Sequence, residues 1–468
     1  MSRINQNIAS IGAQITLQRN QNDLSLRLQR LSTGLKINAG KDAPAGLIAS
    51  EALRSEINGI QQAVVNSARA SNVVNTAEGA LSEVSALLLQ AQSLTNEAAN
   101  TGALSPDEVK ANQLQVDAIL NSINRIANTT QFNGVKLLNG SLDYTLSGVN
   151  ATNIANAQVF ASKLPDNGNV SIAVQVTASA QTGVLSTAAL GIGGAPTTIA
   201  VQGSLGVQQI TFAASTVNSA IVAAVNQYRI STGVSAALSG TALRLDSTSF
   251  GSRNFVQVQT ISGAFINGKD FGVDARVNIN GVQASVEGVR ASIRTADLDV
   301  TLDLSAAFGQ QTATSTSFSV VGGGAKFQLG PSVNAQGQVN IGVQSISSTN
   351  LGNQIVGALS SIGSGQTNFL VEGNTVQAQS IISEAIRQVS TLRGRLGAFQ
   401  KNIVDSNVNS LNVALENVTA SESQIRDADF AAETAALTRA QILVQANTSV
   451  LSQANSSPQS VLSLLGGR

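Results

Sequence analysis

The chain has 468 residues, as many basic as acidic side chains, and only 12% charged residues. That balance gives no long-range attraction to nucleic acid or to an anionic membrane. Cysteine and histidine are both absent, which excludes disulfides, thiol chemistry, the usual zinc sites and any Ser-His-Asp arrangement. Aromatic residues make up 3%; the apolar mass is Ala, Val, Leu and Ile, so thin cores between paired helices are expected. No cofactor and no metal are expected. The N-terminus carries no apolar core of a secretory signal peptide, and no stretch approaches the length of a membrane span.

Regular pattern is concentrated at the two ends. Ile4, Ile8, Ile11 and Ile15 recur at spacings of 4, 3 and 4, and Leu24, Leu28, Leu31 and Leu35 repeat that spacing. Each set lies along one stripe of a helix. Gly34, Gly40 and Pro44 interrupt it. A second helix is expected over 45–99, opened by Leu53, Ile57, Ile60 and Val64. It continues at sevens through Val74, Leu81 and Leu88 beside Ala77, Val84 and Ala91. Its length is that of a coiled coil. A third begins at Ser105-Pro106-Asp107-Glu108, where Ser105 caps, Pro106 suits the first turn and Glu108 completes a capping box. Val109, Val116, Ile119, Ile123 and Ile126 form its stripe. Asn133-Gly134 and Asn139-Gly140 mark turns.

The middle, residues 144–370, holds 27 of the 41 glycines and 17 of the 54 charged residues. Runs at Val170 to Val176, Ile199 to Val201, Gln209 to Phe212 and Phe255 to Val258 read as strands. One helix is expected near 216–230, capped by Thr216 and lined by Val217, Ile221 and Val225. Asp297, Asp299 and Asp303 lack the Gly and distal Glu of a calcium loop, so a solvated strand face is the better reading. Gly191-Ile192-Gly193-Gly194 and Gly322-Gly323-Gly324 precede no Lys-Ser/Thr and read as turns, not phosphate loops.

The last tract mirrors the first. Ile382, Ile386 and Val389 begin a helix near 375, followed by Leu392, Leu396, Phe399 and Ile403 at 4, 3 and 4, then Leu411, Leu415 and Val418. Asp427 and Asp429 precede another helix start, where the helix dipole favours acids. Two heptad lines follow: Ala436, Leu443 and Val450, and Leu437, Val444 and Leu451. Pro458 is expected to break the helix, leaving Val461, Leu462, Leu464 and Leu465 as an apolar tail. Residues 1–36 carry five basic residues against Asp23, and residues 427–468 three acidic against two basic. The simplest packing pairs outer flank with outer flank. A two-helix hairpin cannot hide all these apolar stripes, so self-association is expected to cover the rest.

Several long motifs carry a family resemblance. Ser2-Arg3-Ile4-Asn5, Leu28-Gln29-Arg30-Leu31-Ser32-Thr33-Gly34-Leu35-Lys36-Ile37-Asn38, Lys41-Asp42-Ala43-Pro44-Ala45-Gly46-Leu47 and Thr130-Gln131-Phe132-Asn133-Gly134 resemble the N-terminal signature of bacterial flagellins. Asp427-Ala428-Asp429-Phe430, Arg439-Ala440-Gln441-Ile442-Leu443 and Pro458-Gln459-Ser460-Val461-Leu462-Ser463-Leu464-Leu465 resemble the C-terminal one. The resemblance covers nearly all of residues 1–142 and 325–465. Phe327-Gln328-Leu329-Gly330 to Ile346 is similar to the family's hairpin segment. Val277-Asn278-Ile279-Asn280-Gly281-Val282 resembles a short motif of inserted domains.

The resemblance implies a mostly α fold with a β-rich insertion. It comprises an inner terminal coiled coil (1–42 and 427–468), a rod of long helices with a β-hairpin (43–146 and 323–426), and a variable outer α+β domain (147–322). It implies a non-enzymatic subunit that polymerises into the flagellar filament, outside the cell. The subunit would leave through the flagellar type III system without a cleaved signal peptide. Implied partners are further copies of the chain, an export chaperone, and the filament cap and hook-junction proteins. The assembly interface implied is Ile4, Ile8, Ile11, Ile15, Leu24, Leu28, Leu31, Leu35, Leu437, Leu443, Val444, Val450, Leu451, Val461, Leu462, Leu464 and Leu465. The outer terminal helices are expected to be largely disordered in the monomer and to fold when neighbours bury their stripes. At the positions where an innate toll-like receptor reads relatives, this chain has Gln90, Ser93 and Leu94 in place of Arg, Glu and Leu. Poor receptor activation is expected. Two alternatives remain open: a hook–filament junction protein with the same signatures, and an added adhesive or carbohydrate-binding role for the outer face. O-linked sugars on the Ser/Thr-rich outer tract are a further expectation.

Overall fold

The computed structural model describes residues 6–164, 168–187, 192–240, 242–295, 297–353 and 356–466. Ile4 lies outside them, as do the side chains of Val461, Leu462, Leu464 and Leu465. The chain divides into two compact units. One comprises Met1–Val65, Gly330–Ser332 and Asn407–Arg468; the other comprises Asn66–Leu329 and Val333–Ser406.

Helix α1 is Ile8–Thr33, α2 Pro44–Ala98 and α3 Pro106–Thr129. Gly34 ends α1 in a left-handed conformation, φ 72°, and donates its N–H to Arg30 O, the usual glycine stop. Pro44 opens α2, where its missing N–H costs nothing. The expected capping box of α3 is complete: Glu108 N donates to Ser105 Oγ and Ser105 N to Glu108 Oε2. After α3, Asn133 (φ 49°) and Gly134 (φ 83°) turn a two-strand hairpin, Gln131–Phe132 against Val135–Lys136, as an Asn-Gly pair favours.

The second unit holds three cores. The first joins the α2 stripe to α3 and to the strands Ala325–Gln328 and Gln338–Ile341. It also takes in residues 378–399, ahead of the helices that follow. Leu81, Val84 and Leu88 are fully buried there, as their heptad spacing predicts. The second core is β: strands 170–178, 276–279, 314–323 and 144–147 on one side, and 285–287, 290–294, 298–304 and 154–162 on the other. Ile172, Val174 and Val176 face inward while Ser171, Ala173 and Gln175 alternate outward. The third core is nested within the second. Strands 197–203, 207–212 and 255–262 and strands 184–187, 234–239 and 242–247 enclose it with α4, Asn218–Gln227. The short helices α5, Arg229–Thr232, and α6, Ala306–Gly309, complete the tract.

Three local expectations within the second unit are corrected. Thr216 does not cap α4: Val217 occupies the cap without a side-chain bond, and the Thr216 hydroxyl donates to Ala213 O. Asp299 and Asp303 are not on a solvated face. Asp299 is half-buried between Arg294 and Arg395, and Asp303 is buried against Arg290; strand neighbours of opposite charge neutralise them. Thirdly, Ile403 is 39% exposed while Val404 is 1% exposed. Helix α7, Thr375–Phe399, passes through a π-helical turn at Gln400–Asp405 into α8, Ser406–Arg426. The wider turn inserts one residue, so the buried line moves from Ile403 to Val404 and resumes at Leu411.

In the first unit, Ile60 and Ala63 of α2 pack with Leu411, Ala414, Leu415 and Val418 of α8. Helix α9 is Phe430–Gly466. It does not stop at Pro458 as expected: the backbone stays helical to Gly466. Proline already holds a helical φ and removes one hydrogen bond, a local cost of ~3 kcal/mol that need not end a helix.

Candidate assembly interface

Both terminal helices are built by local signals. Asn7 caps α1, its Oδ1 accepting from Ser10 N at 3.0 Å. Asp429 caps α9, its Oδ1 accepting from Ala431 N at 2.9 Å and Ala432 N at 3.1 Å. The connections before α2 and after α8 are stitched together. Lys36 N donates to Arg426 O at 2.6 Å, Ala428 N donates to Gly34 O at 2.9 Å, and Leu35 bridges Asp427.

With the end of α1 beside the start of α9, the two helices pack antiparallel. The facing line on α1 is Ser10, Ala13, Leu17, Asn20, Leu24, Arg27 and Leu31, at spacings of 3 and 4. The facing line on α9 is Glu433, Leu437, Ala440, Val444, Asn447, Leu451 and Ala454, with the same spacings. Ser10, Ala13, Glu433 and Ala440 are buried and the others are half-buried. This is a 3.5-residue seam in which Leu and Val alternate with small and polar side chains. Polar clasps hold both ends. Asn7 Nδ2 donates to Ala454 O at 2.7 Å and Ser10 Oγ to Asn455 Oδ1 at 2.6 Å. Arg27 Nη1 and Arg30 Nη1 each lie 3.0 Å from the Glu433 carboxylate. Burial alone would push that carboxyl up. The hydrogen bonds and charges of Arg27 and Arg30 outweigh burial and hold it below its usual value.

The seam separates the sequence-predicted residues into two groups. Leu24, Leu31, Leu437, Val444 and Leu451 meet inside the hairpin, and Leu35 lies half-buried in the connection. Ile8, Ile11 and Ile15 stay outside at 63%, 52% and 50% exposure, and Leu28, Leu443 and Val450 are also exposed. Sequence reasoning missed the Arg27–Glu433–Arg30 cluster and the small members of the seam, Ser10, Ala13, Ala440 and Ala454, because it followed the large aliphatics. The signal was there: Ser10, Ala13 and Leu17 keep the rhythm of Ile8, Ile11 and Ile15, displaced by two positions.

On α2, Gln90 and Ser93 are exposed, but Leu94 is 8% exposed and belongs to the first core of the second unit. It is a packing residue there, not a presented contact. Among the described residues no group of three or more acidic side chains could hold a metal ion.

Residues 4–143 match the bacterial flagellin N-terminal helical region, and residues 379–465 match the bacterial flagellin C-terminal helical region. Flagellin D of Vibrio cholerae is 30% identical, covering 99% of both chains. The chain belongs to the bacterial flagellins. Flagellin B of Vibrio cholerae is 31% identical over 99% of each chain, and the flagellin of Salmonella typhimurium 30% over 99% of each. Among solved structures, hook-associated protein 3 of Legionella pneumophila is 15% identical with a TM-score of 0.32, covering 80% of this chain and 98% of its own. FliC of Burkholderia pseudomallei is 17% identical with a TM-score of 0.24, covering 71% and 99%. This flagellin is therefore a structural subunit of the extracellular flagellar filament, with flagellar helical regions at its ends and a β-rich middle.

Proposed function

We propose that the outer face of the terminal hairpin is the surface through which subunits polymerise. Ile8, Ile11, Ile15, Leu28, Leu443 and Val450 form it; Ile4, Val461, Leu462, Leu464 and Leu465, assigned to it from the family resemblance, lie outside the described side chains. The observation that carries this is the exposed isoleucine stripe of Ile8, Ile11 and Ile15, which lies outside the seam between the two helices. Fully burying an isoleucine is worth ~1.5–3 kcal/mol, and a hairpin this thin has no other way to collect it. In this reading residues 1–42 and 427–468 form the inner coiled coil, 43–146 and 323–426 the rod, and 147–322 the outer domain. The same reading takes the chain to be exported through the flagellar type III route, with an export chaperone and with cap and hook-junction proteins as partners. No catalytic role is assigned.

The test is removal of residues 1–36. The truncated chain is expected to keep the circular dichroism and melting of the second unit and to form no filament from sheared seeds. Filaments from it would sink the reading. The neutral Gln90 and Ser93, with Leu94 turned inward, give a toll-like receptor no charge-assisted contact. Purified monomer is expected to be a weak agonist in a cell reporter assay; full potency would contradict this.

A further inference from the structure

Three sheet edges in the described structure are six residues or longer: Ile154–Ser162, Val234–Ser239 and Val207–Phe212. Two are covered. Gly342 N donates to Phe160 O at 2.7 Å, and Tyr144 Oη accepts from Ser162 N at 2.9 Å, closing the first. Asn226 of α4 both donates to Ala236 O and accepts from Ala236 N, closing the second. The third, Val207–Phe212, pairs with Thr197–Gln202 in unbroken register. On its other side, among the described residues, the backbone has one partner: Gln208 Nε2 donates to Gln209 O.

Natural proteins guard an open edge with charge, proline or a bulge. Val-Gln-Gln-Ile-Thr-Phe has none of these, and no charged residue occurs anywhere between Asp166 and Arg229. At the strand's start Leu205, Val207 and Ile230 are 66%, 61% and 56% exposed. Leu205 N donates to Thr232 O, which sets α5 beside that turn.

We propose that Val207–Phe212 is an interface for a second copy of this chain. Two such edges pair antiparallel about a two-fold axis at Ile210 and continue the sheet across both molecules. The partner follows from the strand itself. Opposed residues of an antiparallel pair must share a face. With Ile210 opposite its own copy, Gln208 meets Phe212 and Gln209 meets Thr211. Buried face then adjoins buried face, and no pair carries like charges. Such an interface is isologous and closes on itself. It lies outside the terminal helices, so it would join subunits through their β-rich middles.

The chain's lack of cysteine allows a direct test with the full-length protein. A mixture of Gln209→Cys and Thr211→Cys chains is expected to form a disulfide about tenfold faster than a mixture of Gln209→Cys with Gln283→Cys, because pairing raises the effective concentration. Equal rates overturn the proposal. As a second measurement, Q209K/T211K and Q209E/T211E chains are each expected to lose the dimer in sedimentation, and their mixture to regain it. Dimers of either variant alone at the wild-type level overturn it too. Seeded filament growth by Q209K/T211K is expected at the wild-type rate, so failure here is distinguishable from failure of the terminal interface.

Discussion

At the scale of single residues, Glu433 sets the register of the terminal hairpin. It is the one acid on the facing line of α9, which is otherwise alanine, valine, leucine and Asn447, and it meets two arginines from α1. Two helices shield it thinly, so solvent screening discounts its worth. Glu433→Gln is expected to weaken the hairpin by about 1–2 kcal/mol, read as faster amide exchange in α1 and α9. The pH dependence has a fixed sign. The folded carboxyl titrates below its unfolded value near 4.5. Its contribution is therefore complete above that value and is lost as pH falls through the depressed folded one. Helicity of the termini should hold from pH 7 to 5 and decline below about 4, whereas Glu433→Gln should show a flatter profile. Loss of the Asp429 cap in Asp429→Ala is expected to cost about 1 kcal/mol, seen as fraying at the start of α9. Glu433 was not legible in the sequence, because an isolated acid on a helix reads as solvated until its partners, some 400 positions away, are known. Asp429 was legible: an acid just before a periodic apolar run is a local signal.

At the scale of elements, helices with unbroken heptads matched their expected bounds closely. The second was expected over 45–99 and spans 44–98, since Pro44 and the break after Ala98 are both local. What escaped was a change of phase. Nothing in Leu392, Leu396, Phe399 and Ile403 announces that a π-helical turn rotates the helix by one residue. Only the core it packs against selects Val404. Val404→Ala is accordingly expected to cost about 1–3 kcal/mol and Ile403→Ala under about 1 kcal/mol, measured by denaturant unfolding of the full chain. The strands of the middle tract were legible one by one through alternation. Their division into two nested cores was not, because strand order depends on long-range pairing such as Val277 with Val176, for which sequence spacing gives no cue.

At the scale of the whole molecule, the proposed reading makes the terminal hairpin incomplete alone, since Ile8, Ile11 and Ile15 stay outside its seam. Ile11→Lys is expected to leave the monomer's melting unchanged and to stop seeded growth, whereas Leu437→Ala should loosen the hairpin in the monomer itself. The family was legible because its signatures are long runs in the two terminal helical regions. The outer tract showed only strand-like alternation. In the proposed reading, neighbouring copies complete the terminal helices. Amide hydrogen exchange of α1 and α9, compared between monomer and filament, tests it most directly. The expected result is protection in residues 8–33 and 430–457 that rises about 100-fold or more on polymerisation, with the β cores of the second unit unchanged. Equal protection of those helices in monomer and filament would contradict the account.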